Sequence, residues 1–559
     1  MSLSPSPAPD GPGDRHKERG NAFLAQGRLA DAAQAYRLAL ACQPDHHRAM
    51  SNLGIVFQAQ GRLEDAVDCF SRALAMQPEF AAAHSNLGVV LHRMGRLHEA
   101  RTHLLRALEL EPAYPEALSN LGNLYLSQGR WLDAVACYRR ALTENPAFPD
   151  ALANLGVALQ HLGNLSQSAL CLEGALNLEP NSHEYWTNLG VVRYRQGNLE
   201  SAMACLDRAL RLKPDHPDAL ANLGCLLMEQ GHLSEALSWI GKAVHIAPEL
   251  AEAHFAESLV LLLSGDFKKG WEKHEWRWRR SGFPPHGRPE PLWDGHSLAG
   301  RSILLHCEQG LGDSIQFVRF APEVKARGGT VLLRCPQPLA RLMATAAGID
   351  RWVLEGEEGV SCDTQAPLMS LPWLLGTTLE TLPAVTPYLH ATHPSPLPRS
   401  WMAGPNMKVG LVWRGNPMFR DDGKRSMDPS HLVPLLGLAG ITFIGLQVDL
   451  SPGEREFFAS FPNFFDAGNL LTDFAVTAAV IQELDLVISV DTAVLHLGGA
   501  LGRPTWALLP KTPDWRWLLE REDSPWYPTM RLFRQKNRGD WLEVMDRIAR
   551  KLSAAKYPQ

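Results

Sequence analysis

The chain has 559 residues, a formal net charge of −6, nine cysteines and no concentrated block of Lys and Arg. This length exceeds what one hydrophobic core serves and predicts three or four folding units. The charge pattern argues against a nucleic-acid surface, and the lack of Cys-x-x-Cys and His-Glu-x-x-His motifs argues against a zinc site. No apolar run reaches the roughly 18 residues of a membrane span, and no apolar signal segment starts the chain, so we expect a cytoplasmic protein.

Residues 1–13 are rich in Ser, Pro and Gly, which predicts disorder, and residues 14–284 then repeat every 34 positions. The first glycine series allows close helix contact, the second ends a first helix, and the proline series ends a second helix. These series are Gly20, Gly54, Gly88, Gly122, Gly156, Gly190 and Gly224; Gly27, Gly61, Gly95, Gly129, Gly163, Gly197, Gly231 and Gly265; and Pro44, Pro78, Pro112, Pro146, Pro180, Pro214 and Pro248. Residues 47–80 closely resemble the tetratricopeptide pattern, and the chain holds seven full repeats and a degenerate eighth, where Ser258 replaces the expected Gly.

Such repeats predict an α-solenoid, a superhelix with a long concave groove. An asparagine precedes the Leu-Gly pair in the six middle repeats: Asn52, Asn86, Asn120, Asn154, Asn188 and Asn222. Carboxamides facing the groove could hold an extended peptide by its backbone, whatever its sequence. The row resembles the asparagine ladder of the O-GlcNAc transferase superhelix. The alternative is that each Asn bonds only neighbouring repeats.

The eighth repeat runs into a helix with Trp271, Trp276 and Trp278, which we interpret as a cap that docks the solenoid on the next domain. Residues 285–389 read as a first α/β half, with a strand at Arg301–Cys307. A Gly-rich turn ending in Asp313 follows and opens a helix to about Ala326. Residues 390–406 carry four prolines and predict a linker, and residues 407–559 read as a second α/β half with a closing helix.

The second half contains a compact strand–helix–strand unit. Asp485–Val490 predicts a buried strand, Ala493–Leu501 a helix and Thr505–Leu509 the next strand. Asp491 and Thr492 stand where the first strand ends, the edge at which ligands bind to parallel sheets. Amides at the helix start would hold a phosphate, leaving Asp491 for sugar hydroxyls. The alternative is an ordinary unit in which Asp491 only caps the helix.

Two small α/β halves joined by a linker match the GT-B glycosyltransferases, with double Rossmann-like architecture. The motifs GLGD and VDTAVLHLGGALGRP resemble the ADP-heptose:lipopolysaccharide heptosyltransferases over roughly residues 290–550. The combination with a repeat arm resembles bacterial tetratricopeptide-repeat glycosyltransferases. It shares the layout of O-GlcNAc transferase but not that enzyme's catalytic motifs.

The resemblance implies roles for individual residues. Asp313 matches the proposed catalytic base, with a helix-capping role as the alternative, and the helix dipole would keep it ionised but weakly basic. Lys424 matches a lysine at the donor diphosphate, although Gly423 shifts the spacing so that Arg425 could act instead. The remaining donor-binding candidates are Asp491 for sugar hydroxyls, the amides of Thr492, Ala493 and Val494 at the phosphate, and Gln447 for the nucleotide. His496 is expected to pack or orient rather than react.

The resemblance implies a metal-independent, inverting glycosyltransferase that needs no cofactor besides its nucleotide-sugar substrate. Its acceptor would be a protein hydroxyl held by the repeat arm. One alternative is a repeat scaffold with a non-catalytic nucleotide-sugar-binding domain, and another is a lipopolysaccharide or polysaccharide transferase whose arm recruits partners. The joint presence of Asp313, Asp491 and the basic residues favours a transferase, because a pure binder needs no base. The donor sugar, its nucleotide, the acceptor and the oligomeric state stay open.

Overall fold

The computed structural model describes residues 11–280, 288–417 and 422–556. The chain divides into two compact units, Met1–Asn222 and Leu223–Gln559. Residues 1–10 of the segment predicted to be disordered lie outside the described residues, whereas Pro12 and Gly13 already belong to the first helix. No helix in the described ranges combines the length and apolar composition needed to cross a lipid bilayer.

Helices occupy most of residues 11–280, in pairs that follow the 34-residue repeat. Their bounds are α1 Pro12–Ala25, α2 Leu29–Cys42, α3 His47–Ala59, α4 Leu63–Met76, α5 Ala81–Arg93, α6 Leu97–Leu110, α7 Pro115–Ser127, α8 Trp131–Glu144, α9 Pro149–His161, α10 Leu165–Leu178, α11 His183–Arg195, α12 Leu199–Leu212, α13 Pro217–Glu229, α14 Leu233–Ile246, α15 Ala251–Ser264 and α16 Phe267–His274. A 3₁₀ turn, Glu275–Arg279, continues α16. The predicted helical solenoid is confirmed.

The second repeat shows why two glycines recur. A Cβ added to Gly54 would lie 2.9 Å from the Phe70 ring, so only glycine lets α3 pack this closely on α4. Gly61 has φ +75°, a left-handed conformation that glycine adopts without strain, and it separates α3 from α4. Both predicted glycine roles are confirmed in this repeat.

A buried arginine ties the end of the helical region to the first α/β part. The Arg277 side chain is 0% exposed; its Nη1 lies 2.6 Å from Glu275 and its Nη2 lies 2.8 Å from Glu308. Its Nη2 also donates to Ser370 Oγ at 2.8 Å. Trp271 is 1% exposed and belongs to the hydrophobic core that also contains Phe317 and Leu371 of the first α/β part. The predicted cap therefore does contact the domain that follows it.

The first α/β part is a four-stranded parallel sheet with the strand order β3-β2-β1-β4. Its strands are β1 Ser302–His306, β2 Thr330–Cys335, β3 Arg351–Leu354 and β4 Thr364–Pro367; its helices are α17 Leu311–Phe317, α18 Ala321–Lys325, α19 Ala340–Met343 and α20 Leu371–Leu374. A 3₁₀ turn, Val318–Phe320, separates α17 from α18, so the single helix predicted to reach about Ala326 is broken.

The second α/β part is a six-stranded parallel sheet with the strand order β10-β9-β8-β5-β6-β7. Its strands are β5 Met407–Val412, β6 Ile441–Gly445, β7 Phe464–Asp466, β8 Leu486–Val490, β9 Thr505–Leu509 and β10 Met530–Arg534. The helices from residue 399 onward are α21 Arg399–Met402, α22 Asp422–Arg425, α23 Val433–Leu436, α24 Pro452–Ala459, α25 Phe474–Gln482, α26 Ala493–Ala500 and α27 Trp541–Lys556. Strand β10 lies between β9 and the closing helix α27, at the end of the aromatic-rich segment DSPWYPTMRLF. The sequence did not predict this strand.

Strand order locates the ligand crevices of both sheets. In the first sheet the chain runs from β1 to β2 and β3, then places β4 on the other side of β1. In the second it runs from β5 to β6 and β7, then places β8 beside β5 and continues outward. Ligands bind at the carboxyl ends of strands where the order reverses. The segments after β1, β5 and β8 therefore line the expected crevices, and the predicted double α/β architecture is confirmed.

Candidate active site

The starts of two helices from the two sheets meet. Helix α17 follows β1, and α26 follows β8. A Cβ added to Gly312 would lie 2.9 Å from His496 Cδ2 and 3.4 Å from the Cα of Ala493. Because Gly312 has no side chain, the first turn of α17 can rest against the first turn of α26. The residues that follow the two strands are thereby brought into one site.

Asp313 lies in the first turn of α17, with both carboxylate oxygens engaged. Its Oδ2 accepts a hydrogen bond from the Gly310 amide at 2.9 Å, and its Oδ1 forms an ion pair with Arg516. Burial raises the pKa of the Asp313 carboxyl, and the Arg516 charge and the Gly310 amide only partly oppose it. The direction is opposite to that expected from the helix dipole, because desolvation outweighs the dipole here.

Arg516 joins the two α/β parts at this site. It lies in the 3₁₀ turn Trp515–Trp517 and is 6% exposed. Its guanidinium donates to Gln316 Oε1 at 2.6 Å and to Asp514 Oδ1 at 2.8 Å, besides the pair with Asp313. A buried arginine with two carboxylates and one amide is fully partnered, so it fixes the position of Asp313.

Asp491 directly follows β8 and contacts Trp517, the residue after Arg516. Its Oδ2 accepts a hydrogen bond from Trp517 Nε1 at 2.9 Å, and its Oδ1 lies 3.6 Å from His496 Nε2. Burial, with the nearby negative charge of Asp514, raises the pKa of Asp491 to about 6. The Trp517 hydrogen bond opposes that shift. The carboxylate is therefore poorly solvated and retains acceptor capacity for a ligand.

His496 orients rather than titrates near neutral pH. Burial lowers the pKa of its ring well below the usual value, and the positive charge of Arg516 acts in the same direction. Its Nδ1 lies 2.9 Å from the hydroxyl of Tyr527. A neutral ring that accepts there carries its hydrogen on Nε2, which faces Asp491. This placement matches the orienting role expected from the sequence.

Of the two candidates for the diphosphate, Arg425 lies closer to the start of α26. Its Nη1 donates to the main-chain oxygen of Asp491 at 2.7 Å, and its Nε donates to Asp422 at 2.9 Å. Lys424 instead reaches Glu229, the last residue of α13, with its Nζ 2.5 Å from Oε1. The structure thus places the two neighbouring cations against different parts of the chain.

The other donor-binding candidates lie in two places, at the start of α26 and beside the segment after β5. Thr492 precedes α26 and its hydroxyl lies 3.1 Å from Ser489 Oγ, while Ala493 and Val494 form the first turn, whose amides have no partner inside the helix. Gln447 is 6% exposed, and its Oε1 accepts a hydrogen bond from the Arg414 amide at 3.2 Å. Gln447 therefore holds the segment after β5 in place.

The asparagine row lies on the first helices of successive pairs, and its members differ in their bonding. Three of them donate to the preceding repeat: Asn52 to Asn21 at 2.9 Å, Asn120 to Ser85 at 3.2 Å and Asn154 to Asn123 at 3.0 Å. Asn222 donates to the main-chain oxygen of Asp218 at 2.8 Å. Within the described residues, the carboxamides of Asn86 and Asn188 make no hydrogen bond. The bonding to neighbouring repeats that the sequence left as an alternative thus occurs at half of the row.

Sequence reasoning missed Arg516 and Asp514. Arg516 is 203 residues from Asp313, and only the short motif Asp-Trp-Arg-Trp after β9 marked it. An arginine between two tryptophans, with an aspartate two positions before it and a strand shortly upstream, is an available signal, because a buried arginine must be partnered.

Known protein families match two regions of the chain, one in its N-terminal half and one near its C-terminus. Patterns described as TPR repeat match residues 20–61, 56–95 and 192–231, and patterns described as tetratricopeptide repeat match residues 79–143, 119–182 and 217–250. The pattern described as glycosyltransferase family 9 (heptosyltransferase) matches residues 467–539. That match includes Asp491 and Arg516 but not Asp313.

Individual proteins are similar to parts of the chain. Protein FlbA of Caulobacter vibrioides is 29% identical in an alignment of 334 positions that covers 54% of this chain and 54% of that protein. The chain thus spans about half the length of this curated relative. A tetratricopeptide repeat protein from Parabacteroides merdae is 18% identical, with a TM-score of 0.37 over 44% of this chain and 98% of that one. A thermophilic TPR protein of Thermus thermophilus is 28% identical, with a TM-score of 0.30 over 33% of this chain and 99% of that one.

The chain therefore carries tetratricopeptide repeats in its N-terminal half and a glycosyltransferase family 9 (heptosyltransferase) domain near its C-terminus.

Proposed function

We propose that this protein is an inverting glycosyltransferase that moves a sugar from a nucleotide-sugar donor to the hydroxyl of a protein held by the repeats. One observation carries the proposal: Asp313, after the first strand of one sheet, lies in the same buried network as the residues around Asp491, after a central strand of the other. A transfer site needs a base and a donor cradle face to face, and this arrangement supports assigning Asp313 and the segment around Asp491 to those roles. The cytoplasmic location predicted from the sequence is part of the proposal.

The donor side is built on the six-stranded sheet. The first amides of α26, an eight-residue helix, would bind the diphosphate, and the Arg425 guanidinium lies next to the start of this helix. Lys424, the residue before Arg425, would be the second cation at the diphosphate, after leaving its ion pair with Glu229. Asp491 would accept hydrogen bonds from donor-sugar hydroxyls. In this proposal cationic side chains and helix amides neutralise the leaving group, so the chemistry is metal-independent.

The acceptor side is built on the four-stranded sheet. The acceptor oxygen would form a bond to the anomeric carbon on the face opposite the diphosphate, while the bond from that carbon to the diphosphate oxygen breaks. The hydroxyl proton would pass to Asp313, and the bonding electron pair would stay with the diphosphate. Burial raises the pKa of Asp313, which makes this carboxylate a stronger base than a solvent-exposed one. Arg516 would hold the carboxylate in position during the transfer.

Two alternatives have specific support. The engagement of both Asp313 oxygens, by Gly310 and Arg516, favours a domain that binds a nucleotide sugar without turnover. The family description names heptosyltransferases, which favours a lipopolysaccharide or polysaccharide acceptor. Both are tested by the experiments below.

Replacing Asp313 by Asn should lower the transfer rate about 10²- to 10⁴-fold, the usual cost of losing a general base. Donor affinity should stay within about twofold, because the residue faces the acceptor. In the unaltered protein the rate should rise with pH through a pKa above that of a free Asp, because the base must be ionised and burial raises its pKa. This limb of the pH–rate profile should disappear in the variant.

Asp514→Asn is the matched control, because it also removes one carboxylate from Arg516. It should cost less than about tenfold in rate and keep the pH limb. An equal loss in both variants would show that the charge balance of Arg516 matters and that Asp313 is not the base. Unchanged turnover in Asp313→Asn would also contradict the proposal.

Replacing both Lys424 and Arg425 by Gln should weaken nucleoside diphosphate binding about tenfold or more, since charge-assisted hydrogen bonds are the strong ones. Binding of the free nucleoside should change little, because the nucleoside lacks the phosphates. Calorimetry on folded protein measures both affinities. Arg455→Gln, at an exposed position on α24, controls for the loss of positive charge. Equal losses for nucleoside and nucleoside diphosphate would indicate a folding defect instead of diphosphate binding.

The acceptor proposal is tested most cleanly at Asn86 and Asn188, whose carboxamides make no hydrogen bond within the described residues. Replacing both by Ala should raise KM for a protein acceptor about fivefold or more, since each lost hydrogen bond is worth about 0.5–1.5 kcal/mol. Donor hydrolysis should be unaffected, because neither residue belongs to the proposed donor cradle or is the proposed base. Thermal stability should also stay constant.

Asn120→Ala with Asn154→Ala is the matched comparison, because both of these residues bond the preceding repeat. This pair should lower thermal stability as well as acceptor affinity. If the Asn86 and Asn188 pair leaves protein-acceptor kinetics unaltered, the row is not the acceptor site and the non-protein acceptor becomes the better hypothesis.

A further inference from the structure

One residue of the repeat region contacts two segments that flank the donor site. Glu229 ends α13, and its Oε1 lies 2.5 Å from Lys424 Nζ. Its main-chain oxygen accepts a hydrogen bond from Thr512 Oγ1 at 2.7 Å. The side chain of Glu229 is 12% exposed and that of Lys424 is 27% exposed, so the ion pair is partly shielded from water.

Both contacted segments continue into the candidate active site. Lys424 directly precedes Arg425, which donates to the main-chain oxygen of Asp491. Thr512 stands two positions before Asp514, a partner of the arginine that holds the proposed base. Glu229, which lies outside the six-stranded sheet, therefore contacts two segments at the carboxyl edge of that sheet.

The repeat pattern does not require a carboxylate at this position. The equivalent residues of the six preceding repeats include no carboxylate: Ala25, Ala59, Arg93, Ser127, His161 and Arg195. A glutamate needed only for packing between repeats would show some regularity of type. Instead, the carboxylate of Glu229 forms an ion pair with Lys424.

A carboxylate on this lysine must oppose a diphosphate there, because the two anions compete for one cation. The repulsion between Glu229 and the diphosphate is stronger for the product than for the donor. Cleavage of the sugar–diphosphate bond leaves the nucleoside diphosphate with a further ionisable oxygen, whose pKa is near 6, so the product is more negative than the donor. A fixed negative charge therefore disfavours the product more than the donor.

We propose that Glu229 is a positioning residue that competes with the diphosphate for Lys424 and so promotes release of the nucleoside diphosphate after transfer. The inference rests on the proposed function of Lys424 at the donor diphosphate. It goes further by giving the last full repeat a part in product release. When the product leaves, the lysine would return to its ion pair with Glu229.

The test is Glu229→Gln, which removes the charge but keeps the side-chain shape and the main-chain bond to Thr512. The probe is whichever of ADP, CDP, GDP and UDP binds the unaltered protein most tightly by calorimetry. The variant should bind that diphosphate about tenfold more tightly, and the matching monophosphate less so. In steady state, product inhibition should strengthen and kcat should fall, while KM for the donor falls or holds. Glu235→Gln, an exposed acid on α14, should change none of these.

Lys424→Met separates the inference from the proposed function. If Lys424 binds the diphosphate, this variant should weaken it, and adding Glu229→Gln to it should have no further effect. Unchanged or weaker diphosphate binding in Glu229→Gln, with Lys424→Met still weakening it, would overturn the inference alone. Unchanged binding in Lys424→Met would overturn the role of Lys424 and the inference with it.

Discussion

The contact between the first turns of α17 and α26 is the constraint on which the candidate site depends. It brings together two helix starts, each with outward-pointing amides and partial positive charge. Only a residue without a side chain fits at Gly312, where a Cβ would lie 2.9 Å from His496. The two sheets could not approach this closely with any larger residue there. The proposed base and the proposed donor cradle consequently lie next to each other although they come from different sheets.

Negative charge exceeds positive charge at this contact, which is costly. Arg516 pairs with both Asp313 and Asp514, and burial raises the pKa of both Asp313 and Asp491. A carboxyl whose folded-state pKa lies above the unfolded value stabilises the fold most at low pH, and that contribution is lost as pH rises through the raised pKa. Near neutral pH the ionised carboxylates therefore oppose folding. Such a cost is typical of residues arranged for chemistry or ligand binding.

The sequence predicted what local pattern dictates. The glycine periods located the solenoid, because helix contact and helix termination each need glycine. The strand ends located Asp313 and Asp491, because parallel strands present their carboxyl ends at one edge. The sequence did not predict the partners of these residues. Arg516 comes from a short turn far along the chain, and Glu229 faces Lys424 across 195 residues. Such pairings are set by tertiary packing, which leaves no periodic signal in one sequence.

The most direct test of the transfer site is a crystal structure of the protein with a bound, non-hydrolysable nucleotide-sugar analogue. The account predicts that the diphosphate accepts hydrogen bonds from the first amides of α26 and from Arg425. The sugar hydroxyls should contact Asp491, and the anomeric carbon should face the Asp313 carboxylate. A donor analogue bound elsewhere, or one whose anomeric carbon points away from Asp313, would contradict it.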